Sequence, residues 1–267
     1  MEKLSRLMDL RGRRALVTGA SGALGRVIAE TLAELGADLV LVDRPDVDFC
    51  DQVETLSRCR EGGIESFNCD LEHQDARDDL VRQVIADNRR LDILINNAAF
   101  VGTSGLEGWA LPFEQQTVNT WRRALEVNLT AVFDLSKQFA PSLRSDGEGV
   151  ILNVGSIYGV LGPNWGLYAD TAMANPAAYA ASKGGVVQLT RWLATTLAPL
   201  VRVNCICPGG IARGQPEVFM ERYEALVPMG RMATEEDFRG AFAFFASSLS
   251  RYVTGQVLMV DGGWSAW

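Results

Sequence analysis

The sequence alternates short apolar runs with longer amphipathic stretches along most of its length. Apolar runs that polar residues do not interrupt are typical of strands buried on both faces of a sheet. Helical stretches between such strands imply crossover connections, and therefore a parallel sheet. No composition break, repeat or low-complexity linker interrupts the pattern. It predicts one doubly wound α/β domain over residues 1–267, with seven strands flanked by helices.

The bounds of the predicted elements leave two long segments, 97–119 and 207–233, without regular structure. Irregular segments of that length are usually functional in a compact domain. The predicted strands are Arg14–Thr18, Asp38–Asp43, Ile64–Cys69, Leu91–Asn96, Val150–Val154, Val201–Ile206 and Gln256–Val260. The predicted helices are Ala23–Leu35, Cys50–Arg60, Asp75–Arg89, Thr120–Leu143, Ala177–Leu197 and Thr234–Ser247.

The charged residues exclude several classes of function. The chain has a net charge of −8 and one histidine, His73. An acidic chain without a basic cluster is a poor nucleic-acid binder. One imidazole cannot build a metal site of histidines, nor a Ser-His-Asp triad unless His73 is the base. A mechanism that needs a lysine can use only Lys3, Lys137 or Lys183.

The cysteines and the hydropathy predict a cytoplasmic protein. Five cysteines occur without a C-x-x-C pair, which favours reduced thiols. Cys205 and Cys207 have strand spacing, and we expect both to be buried core residues. The first residues contain an acid and no long apolar run, so a secretory signal is not expected. No run of about 18 apolar residues occurs, so no membrane span is expected.

A glycine-rich turn, Thr18–Gly25, joins the first predicted strand to the first predicted helix. Glycines let the backbone approach a pyrophosphate, which the N–H groups at the helix start would bind. Asp43 ends the next strand, 18 residues after Gly25. A carboxylate there accepts hydrogen bonds from the adenosine ribose and repels a 2′-phosphate, which favours NAD over NADP. Alternatively, Asp43 merely ends a strand in solvent. The neighbouring Arg44 also weakens the predicted preference for NAD over NADP.

Two more polar side chains follow predicted strands. Asp70 closes the third strand and Asn97 closes the fourth. A ligand of an open parallel sheet lies across the carboxyl ends of the strands, so both residues are candidates for cofactor contact. Alternatively, Asp70 caps the next helix and Asn97 is a turn residue.

Tyr179 and Lys183 are four residues apart in a predicted helix, so they lie on one helical face. A phenol is a poor base at neutral pH, but a nearby ammonium favours the phenolate and lowers the pKa. Such a phenol can exchange a proton with an alcohol or a carbonyl. The alternative is a helix with a tyrosine and a lysine on its surface.

The order of these motifs resembles that of the classical short-chain dehydrogenases/reductases. The resemblance extends from Arg13 to Gly263 and implies a Rossmann-type fold, a nicotinamide cofactor and hydride transfer to or from an alcohol or ketone carbon. The matching motifs are Thr18–Gly25, Asp43, Asp70, Asn97-Ala98, Asn128, Ser156, Tyr179 with Lys183, Pro208-Gly209, Val253–Gln256 and Asp261–Gly263.

The resemblance also implies a role for each matching residue. Tyr179 would exchange a proton with the reacting oxygen, to which Ser156 would hydrogen-bond. Lys183 would lower the pKa of Tyr179 and bind the nicotinamide ribose, and Asn128 would hold a water that passes protons to Lys183. The cofactor-binding residues would be Gly19, Ser21, Gly22, Leu24, Gly25, Asp43, Asp70, Leu71, Asn97, Ala98, Tyr179, Lys183, Pro208, Gly209 and Ile211.

Three positions depart from the family pattern. Ala23 replaces the second loop glycine, Ala99 replaces the last glycine of the Asn-Asn-Ala-Gly run, and Arg213 replaces the threonine after the Pro-Gly motif. An alanine is tolerated in the loop where its φ is negative. Arg213 either places a cation near the site or points to solvent.

The connection between Ser156 and Tyr179, 23 residues apart, is longer than is typical of the family. It leaves the strand of Ser156 and returns at Tyr179, so it must lie beside the active site. Asn164, Trp165 and Tyr168 suit a sugar-like substrate; alternatively, the aromatic residues pack the loop onto the body or another subunit. The insertion looks similar to that of short-chain dehydrogenases of nonulosonic (legionaminic-type) sugar and flagellin glycan biosynthesis. Substrate loops are predicted at about 97–119, 157–178 and 207–233.

The sequence therefore predicts an NAD-dependent oxidoreductase that acts on a small molecule, without a metal ion. One alternative is an NADPH-dependent 3-oxoacyl-type reductase, which Asp43 opposes. The other is a catalytically silent dinucleotide-binding sensor or scaffold, which the set of Ser156, Tyr179 and Lys183 opposes. The resemblance implies a homotetramer, with a dimer as the second choice.

Overall fold

The computed structural model describes residues 2–59, 62–102 and 104–267. These residues form one parallel sheet in the order β3-β2-β1-β4-β5-β6-β7. The strand order reverses between β1 and β4, which is the topological switch point of a doubly wound sheet. The strands are β1 Arg14–Thr18, β2 Asp38–Asp43, β3 Ile64–Asn68, β4 Ile93–Asn96, β5 Gly149–Val154, β6 Val201–Pro208 and β7 Val257–Val260.

Helices cover both faces of the sheet. α2, α3 and α9 contribute to a core that includes Phe242, and α4, α6 and α7 contribute to a second core that includes Phe139. A π-helical turn, Glu126–Thr130, joins α5 to α6. The helices are α1 Leu4–Leu7, α2 Ala23–Glu34, α3 Cys50–Cys59, α4 Gln74–Val84, α5 Val118–Leu125, α6 Ala131–Leu143, α7 Ala177–Leu197, α8 Glu217–Glu224 and α9 Arg239–Ala246.

The Rossmann-type fold and all seven predicted strands are confirmed, with strand ends shifted by no more than two residues. Every residue of β1, β4 and β5 is buried, which explains their uninterrupted apolar runs. α7 has the predicted bounds. The predicted burial of Cys205 and Cys207 is also confirmed, and their sulfurs are 3.8 Å apart.

The two segments predicted to be irregular contain regular structure. β6 extends to Pro208 and α8 lies within 207–233, while α5 begins before residue 119. Phe219 and Tyr223 are buried four residues apart on α8, as in an amphipathic helix. Gly214 and Pro216 precede this short pattern. Because glycine and proline usually mark loops, the sequence did not predict a helix here.

Several helix bounds also differ from the prediction. The predicted helix Thr120–Leu143 consists of α5, the π-helical turn and α6, and the helix predicted from Asp75 ends at Val84. The predicted helix Thr234–Ser247 begins as a 3-10 turn before α9. The predicted end of α3 at Arg60 lies outside the described residues. No helix among the described residues has the length and apolar character needed to cross a membrane.

Thr18 and Asn97 tie the end of β1 to the end of β4. The Thr18 Oγ1 accepts hydrogen bonds from the Asn97 and Ala98 backbone N–H groups at 3.0 and 3.1 Å. The Asn97 Nδ2 donates to the carbonyl oxygens of Thr18 and Gly19, both at 3.0 Å. The tie therefore satisfies backbone groups just beyond the switch point, where the strand ladder stops.

Replacement of Thr18 by valine tests this tie. Thr18→Val keeps the shape of the side chain but removes the acceptor of two N–H groups, so we expect a loss of about 1–3 kcal/mol in the free energy of unfolding. Thr195→Val, on an exposed part of α7, should change it by less than about 0.5 kcal/mol. Urea unfolding measures both. Equal stability of the two variants would contradict the proposed importance of the tie.

Candidate active site

A cavity of about 1090 Å³ opens along the carboxyl edge of the sheet. All of the predicted cofactor-binding residues line it, together with Ser156 and Tyr168. Asn128, Asn164 and Trp165 are not among its lining residues. The cavity therefore joins the glycine loop to the predicted catalytic residues. In the described part of the chain, no group of three or more His, Cys, Asp or Glu residues is placed to hold a metal ion.

The glycine loop packs closely against its surroundings. Gly19 has a φ of +65°, and a Cβ there would lie 2.9 Å from the Cα of Ala98. A Cβ on Gly25 would lie 2.0 Å from the carbonyl oxygen of Gly19. Gly22 precedes α2 without a side-chain cap, which leaves the helix N–H groups open to an anion. Ala23 is exposed and helical, so its replacement of a family glycine causes no backbone strain.

Asp43 lies on the cavity wall against the glycine loop. Its Oδ2 accepts hydrogen bonds from the N–H and the hydroxyl of Ser21, at 2.9 and 2.7 Å. Its Oδ1 accepts one from the Arg44 N–H at 2.9 Å. These hydrogen bonds hold the Asp43 carboxylate against the loop, and the residue is half-buried at the cavity. An open helix N-terminus and a carboxylate beside the loop fit the phosphates and the ribose of a dinucleotide.

Asp70 takes part in a local turn as well as lining the cavity. Its Oδ1 accepts a 3.0 Å hydrogen bond from the Glu72 N–H, and its Oδ2 lies 3.6 Å from the exposed His73. The helix-cap alternative for Asp70 is therefore wrong, because the N-cap of α4 is His73 and no side chain caps this helix, whereas Asp70 lines the cavity as a cofactor contact requires. Asn97 likewise combines cavity lining with the hydrogen bonds to Thr18 and Gly19.

Ser156, Tyr179 and Lys183 line the same cavity. Lys183 is buried one helical turn after Tyr179, and its Nζ lies 5.8 Å from the centroid of the Tyr179 ring. The Nζ donates a 2.7 Å hydrogen bond to the carbonyl oxygen of Val154, at the end of β5. Ser156 follows that strand, and its Oγ accepts a 3.2 Å hydrogen bond from the Tyr158 N–H. The structure thus brings a hydroxyl, a phenol and an ammonium together.

Burial dominates the ionisation of this group. It raises the pKa of Tyr179 and outweighs the hydrogen bond with Ser156 and the positive charge of Arg213, both of which lower that pKa. Burial also lowers the pKa of Lys183 to about 8. The net pKa of Tyr179 therefore moves opposite to the direction predicted from the Tyr179–Lys183 spacing. Tyr179 keeps its proton at neutral pH, because its pKa lies above the usual value of about 10.

Asn128 lies in the π-helical turn, behind the cavity wall. Its Oδ1 accepts a 2.7 Å hydrogen bond from the Phe100 N–H, and its Nδ2 donates to the Phe100 carbonyl oxygen and to the Ser182 Oγ at 3.0 and 3.1 Å. Asn128 thus links the segment after β4 to α7. Its side chain is occupied by these contacts, and a role through water stays a prediction.

The insertion between Ser156 and Tyr179 contributes fewer side chains to the cavity than predicted. Asn164 caps a 3-10 turn, with its Oδ1 accepting a 3.1 Å hydrogen bond from the Gly166 N–H. Trp165 is 58% exposed and packs against Tyr168, with ring centroids 5.7 Å apart. Asn164 and Trp165 are therefore not among the residues that line the cavity, whereas Tyr168 is, and a substrate contact of the first two stays a prediction.

Sequence reasoning missed an aromatic cluster behind Tyr168. The Tyr168 ring lies 5.5 Å from that of Phe219, which lies 6.1 Å from Tyr223. Tyr223 stacks on Trp264 at 4.4 Å, and its hydroxyl accepts a 2.6 Å hydrogen bond from the Gly210 N–H. The four-residue spacing of Phe219 and Tyr223 was the available signal. These residues hold the insertion onto the body of the protein, as the alternative for its aromatic residues predicts.

Two other residues line the cavity: Asn175, which the sequence did not indicate, and Arg213, for which it left two orientations open. Asn175 lies just before α7 and carries a buried side-chain oxygen without a partner. Arg213 lines the cavity, where family members have a threonine, and its Nε donates a 2.7 Å hydrogen bond to Glu235. Arg213 is also partly exposed, so it combines the two orientations considered for it.

Comparisons with known proteins agree with this geometry. A family model described as enoyl-(acyl carrier protein) reductase matches residues 19–265. Cyclohexanol dehydrogenase of Rhodococcus sp. is 34% identical, over 96% of this chain and 97% of its own length. A proposed NAD(P)-dependent gluconate 5-dehydrogenase from Beutenbergia cavernae with bound NADP has 34% identity and a TM-score of 0.86, covering 98% of this chain and 100% of its own. A short-chain dehydrogenase from Leptospira borgpetersenii with bound NAD⁺ has 32% identity and a TM-score of 0.83, covering 99% and 96%.

The fold, the cavity and these relatives define a class of protein. It is a Rossmann-type oxidoreductase that uses a nicotinamide dinucleotide and acts on alcohol or ketone groups. The chain belongs to the short-chain dehydrogenase/reductase family.

Proposed function

We propose that the protein is an NAD-dependent dehydrogenase that interconverts a secondary alcohol and its ketone on a small hydroxylated substrate. The observation that carries this proposal is the shared cavity, which has Ser156 and Tyr179 on its wall as well as the glycine loop and Asp43. The bound nicotinamide would supply or accept the hydride. The remaining chemistry is a proton transfer to or from the substrate oxygen.

Tyr179 is the group proposed to carry that proton. A phenol that keeps its proton can donate it to a ketone oxygen during reduction, and its phenolate can take the proton back during oxidation. Ser156, beside it, would hydrogen-bond the same oxygen. Lys183, held by its bond to Val154, would orient the nicotinamide ribose and stabilise the phenolate when it forms. Asn128 would support the proton path to Lys183 through a water molecule.

The substrate part of the proposal is a hydroxylated, sugar-like molecule. Tyr158 and Tyr168 contribute hydroxyl groups 2.7 Å apart on the cavity wall. The names of the two relatives above, a cyclohexanol dehydrogenase and a gluconate 5-dehydrogenase, are consistent with a compact hydroxylated substrate. The resemblance to enzymes of nonulosonic sugar biosynthesis stays a prediction.

Replacement of Tyr179 by phenylalanine tests the catalytic part of the proposal. Tyr179→Phe should lower kcat by about a hundredfold to ten-thousandfold, because it removes the proton carrier. NADH affinity should stay near that of the wild type. Thr55→Val is the control, because it removes an exposed hydroxyl on α3, outside the cavity. Steady-state kinetics over a panel of alcohols and ketones measures the loss. Turnover by Tyr179→Phe at the wild-type rate would sink the catalytic assignment.

The same panel discriminates the alternatives. Turnover only of long acyl ketones with NADPH would favour a 3-oxoacyl-type reductase. Dinucleotide binding by the wild type without turnover of any compound would favour a sensor or scaffold.

We propose that Asp43 makes the enzyme prefer NAD(H) over NADP(H). Its carboxylate lies against the glycine loop, where the like charge of a 2′-phosphate would be repelled. We expect NADH to bind at least about tenfold more tightly than NADPH, which corresponds to about 1.4 kcal/mol. Asp43→Asn should narrow this ratio, whereas Asp75→Asn, at an exposed residue outside the cavity, should not. Fluorescence titration measures both dissociation constants. Tighter binding of NADPH by the wild type would overturn the preference.

A homotetramer is proposed as the assembly, with a dimer as the second choice. Large apolar side chains are exposed on three helices, and we propose that these helices form a subunit interface: Trp121 on α5, Phe133 on α6 and Trp192 on α7. Exposed Tyr252 and Leu258 would form a second interface. Exposed apolar surface of this kind is typical of interaction sites. Sedimentation velocity measures the mass, and a monomer at micromolar concentration would contradict the proposal.

A cytoplasmic location is also part of the proposal. The described cysteine side chains are free thiols, which supports a reducing compartment. Fractionation of the native cells tests this location, and recovery of the protein outside the cytoplasm would contradict it.

A further inference from the structure

We propose that Asn175 determines substrate specificity by accepting a hydrogen bond from a second hydroxyl of the substrate, beyond the oxygen that reacts at Tyr179. The inference rests on the proposed function for the reaction itself. It assigns a recognition residue and narrows the substrate class to compounds with two or more hydroxyl groups.

The Asn175 side chain carries an unsatisfied acceptor at the cavity. The residue is 6% exposed, its Oδ1 is buried and without a hydrogen-bond partner, and it lines the same cavity as Tyr179. Buried polar atoms nearly always have a partner, because leaving one unpaired costs free energy. A ligand with a hydroxyl donor would remove this cost. Among the described residues, Asn175 is the only one that carries such an unpartnered buried atom and also lines the cavity, and the proposal assigns this acceptor to the ligand.

The rest of the side chain lies beside Tyr158. Its interaction with the Tyr158 hydroxyl lowers the pKa of that phenol, although burial raises the same pKa more, and the Tyr158 and Tyr168 hydroxyls are 2.7 Å apart. Pro176 follows Asn175 and is the N-cap residue of α7, and a following proline favours an extended backbone at Asn175. The Oδ1 of the amide thus has no protein partner, while the side chain also interacts with Tyr158. An orienting partner on one side and a free acceptor on the other are what hydrogen-bond recognition of a ligand requires.

The surroundings of Asn175 suit the carbon skeleton of a hydroxylated ring. Met173, Pro176 and Phe219 line the same cavity and offer apolar surface. A few polar groups among apolar side chains are typical of small-molecule sites, in which the polar groups fix orientation. A site with an acceptor committed to a hydroxyl discriminates strongly against the analogue that lacks it, because the acceptor then stays unpaired.

Cyclohexanol and the 1,2-, 1,3- and 1,4-cyclohexanediols are the probes for this inference, because they share a ring and differ by one hydroxyl. Their binding to the enzyme–NADH complex is measured by nicotinamide fluorescence, and kcat/KM is measured for their oxidation. We expect the wild type to bind at least one diol about tenfold or more tightly than cyclohexanol. Asn175→Leu should abolish that preference, because it removes the acceptor of the second hydroxyl.

Three further variants separate recognition from folding. Asn175→Asp retains an acceptor and should keep the preference for the diol. Asn175→Ala removes the acceptor in a second way and should lose the preference. Asn119→Leu, at an exposed residue on α5 outside the cavity, should behave as the wild type. The NADH affinity of each variant reports whether the fold is intact.

The outcomes distinguish this inference from the proposed function. Diol preference that survives in Asn175→Leu and Asn175→Ala, or is absent in the wild type, would overturn the inference. Loss of the preference in Asn175→Asp would overturn it as well, because the amide nitrogen would then be the recognition atom. Selective diol binding without oxidation of any probe would support the role of Asn175 and count against the proposed dehydrogenase activity.

Discussion

The hydrogen bonds between Thr18 and Asn97 are the constraint on which the active-site region depends. They join β1 to β4 where the strand order reverses, and the connections beyond the two strands diverge from that point. Because Thr18 and Asn97 satisfy backbone groups at the strand ends, Gly19 stays close to Ala98 and α2 starts directly above the sheet. The hydrogen bonds therefore fix the two sides of the crevice relative to each other, and the first N–H groups of α2, which no side chain caps, lie at its wall.

The reactive groups of the site are defined as much by dehydration as by their neighbours. Lys183 is buried and bonded to a backbone carbonyl, and its pKa falls to about 8, whereas the pKa of Tyr179 rises. Each shift favours the uncharged form, as expected when an ionisable group leaves water. A pair four residues apart in a sequence shows that the two groups can meet, but it does not show how much solvent surrounds them. The direction in which the pKa of Tyr179 shifts could therefore not be predicted from the sequence.

Sequence reasoning succeeded where local rules are strong. The buried strands have continuous apolar runs, and the glycine loop is constrained by close backbone contacts, so β1, Gly19 and Gly25 were all recognisable. It failed where tertiary packing decides. Asn164 is used to cap its own turn, Trp165 packs on Tyr168, and α8 depends on a cluster that unites distant segments. Asn175 had no motif at all, because its significance lies in a missing partner.

The aromatic cluster of Tyr168, Phe219, Tyr223 and Trp264 has a consequence for redesigning the substrate pocket. Its members come from three segments that are far apart in the sequence, yet each ring rests on the next, and Tyr223 also fixes the backbone at Gly210. Substitutions at contacting residues combine non-additively. Variant libraries that alter one segment at a time would therefore sample mostly disrupted pockets, whereas libraries that vary the insertion, α8 and the region of Trp264 together could reach new, well-packed ones.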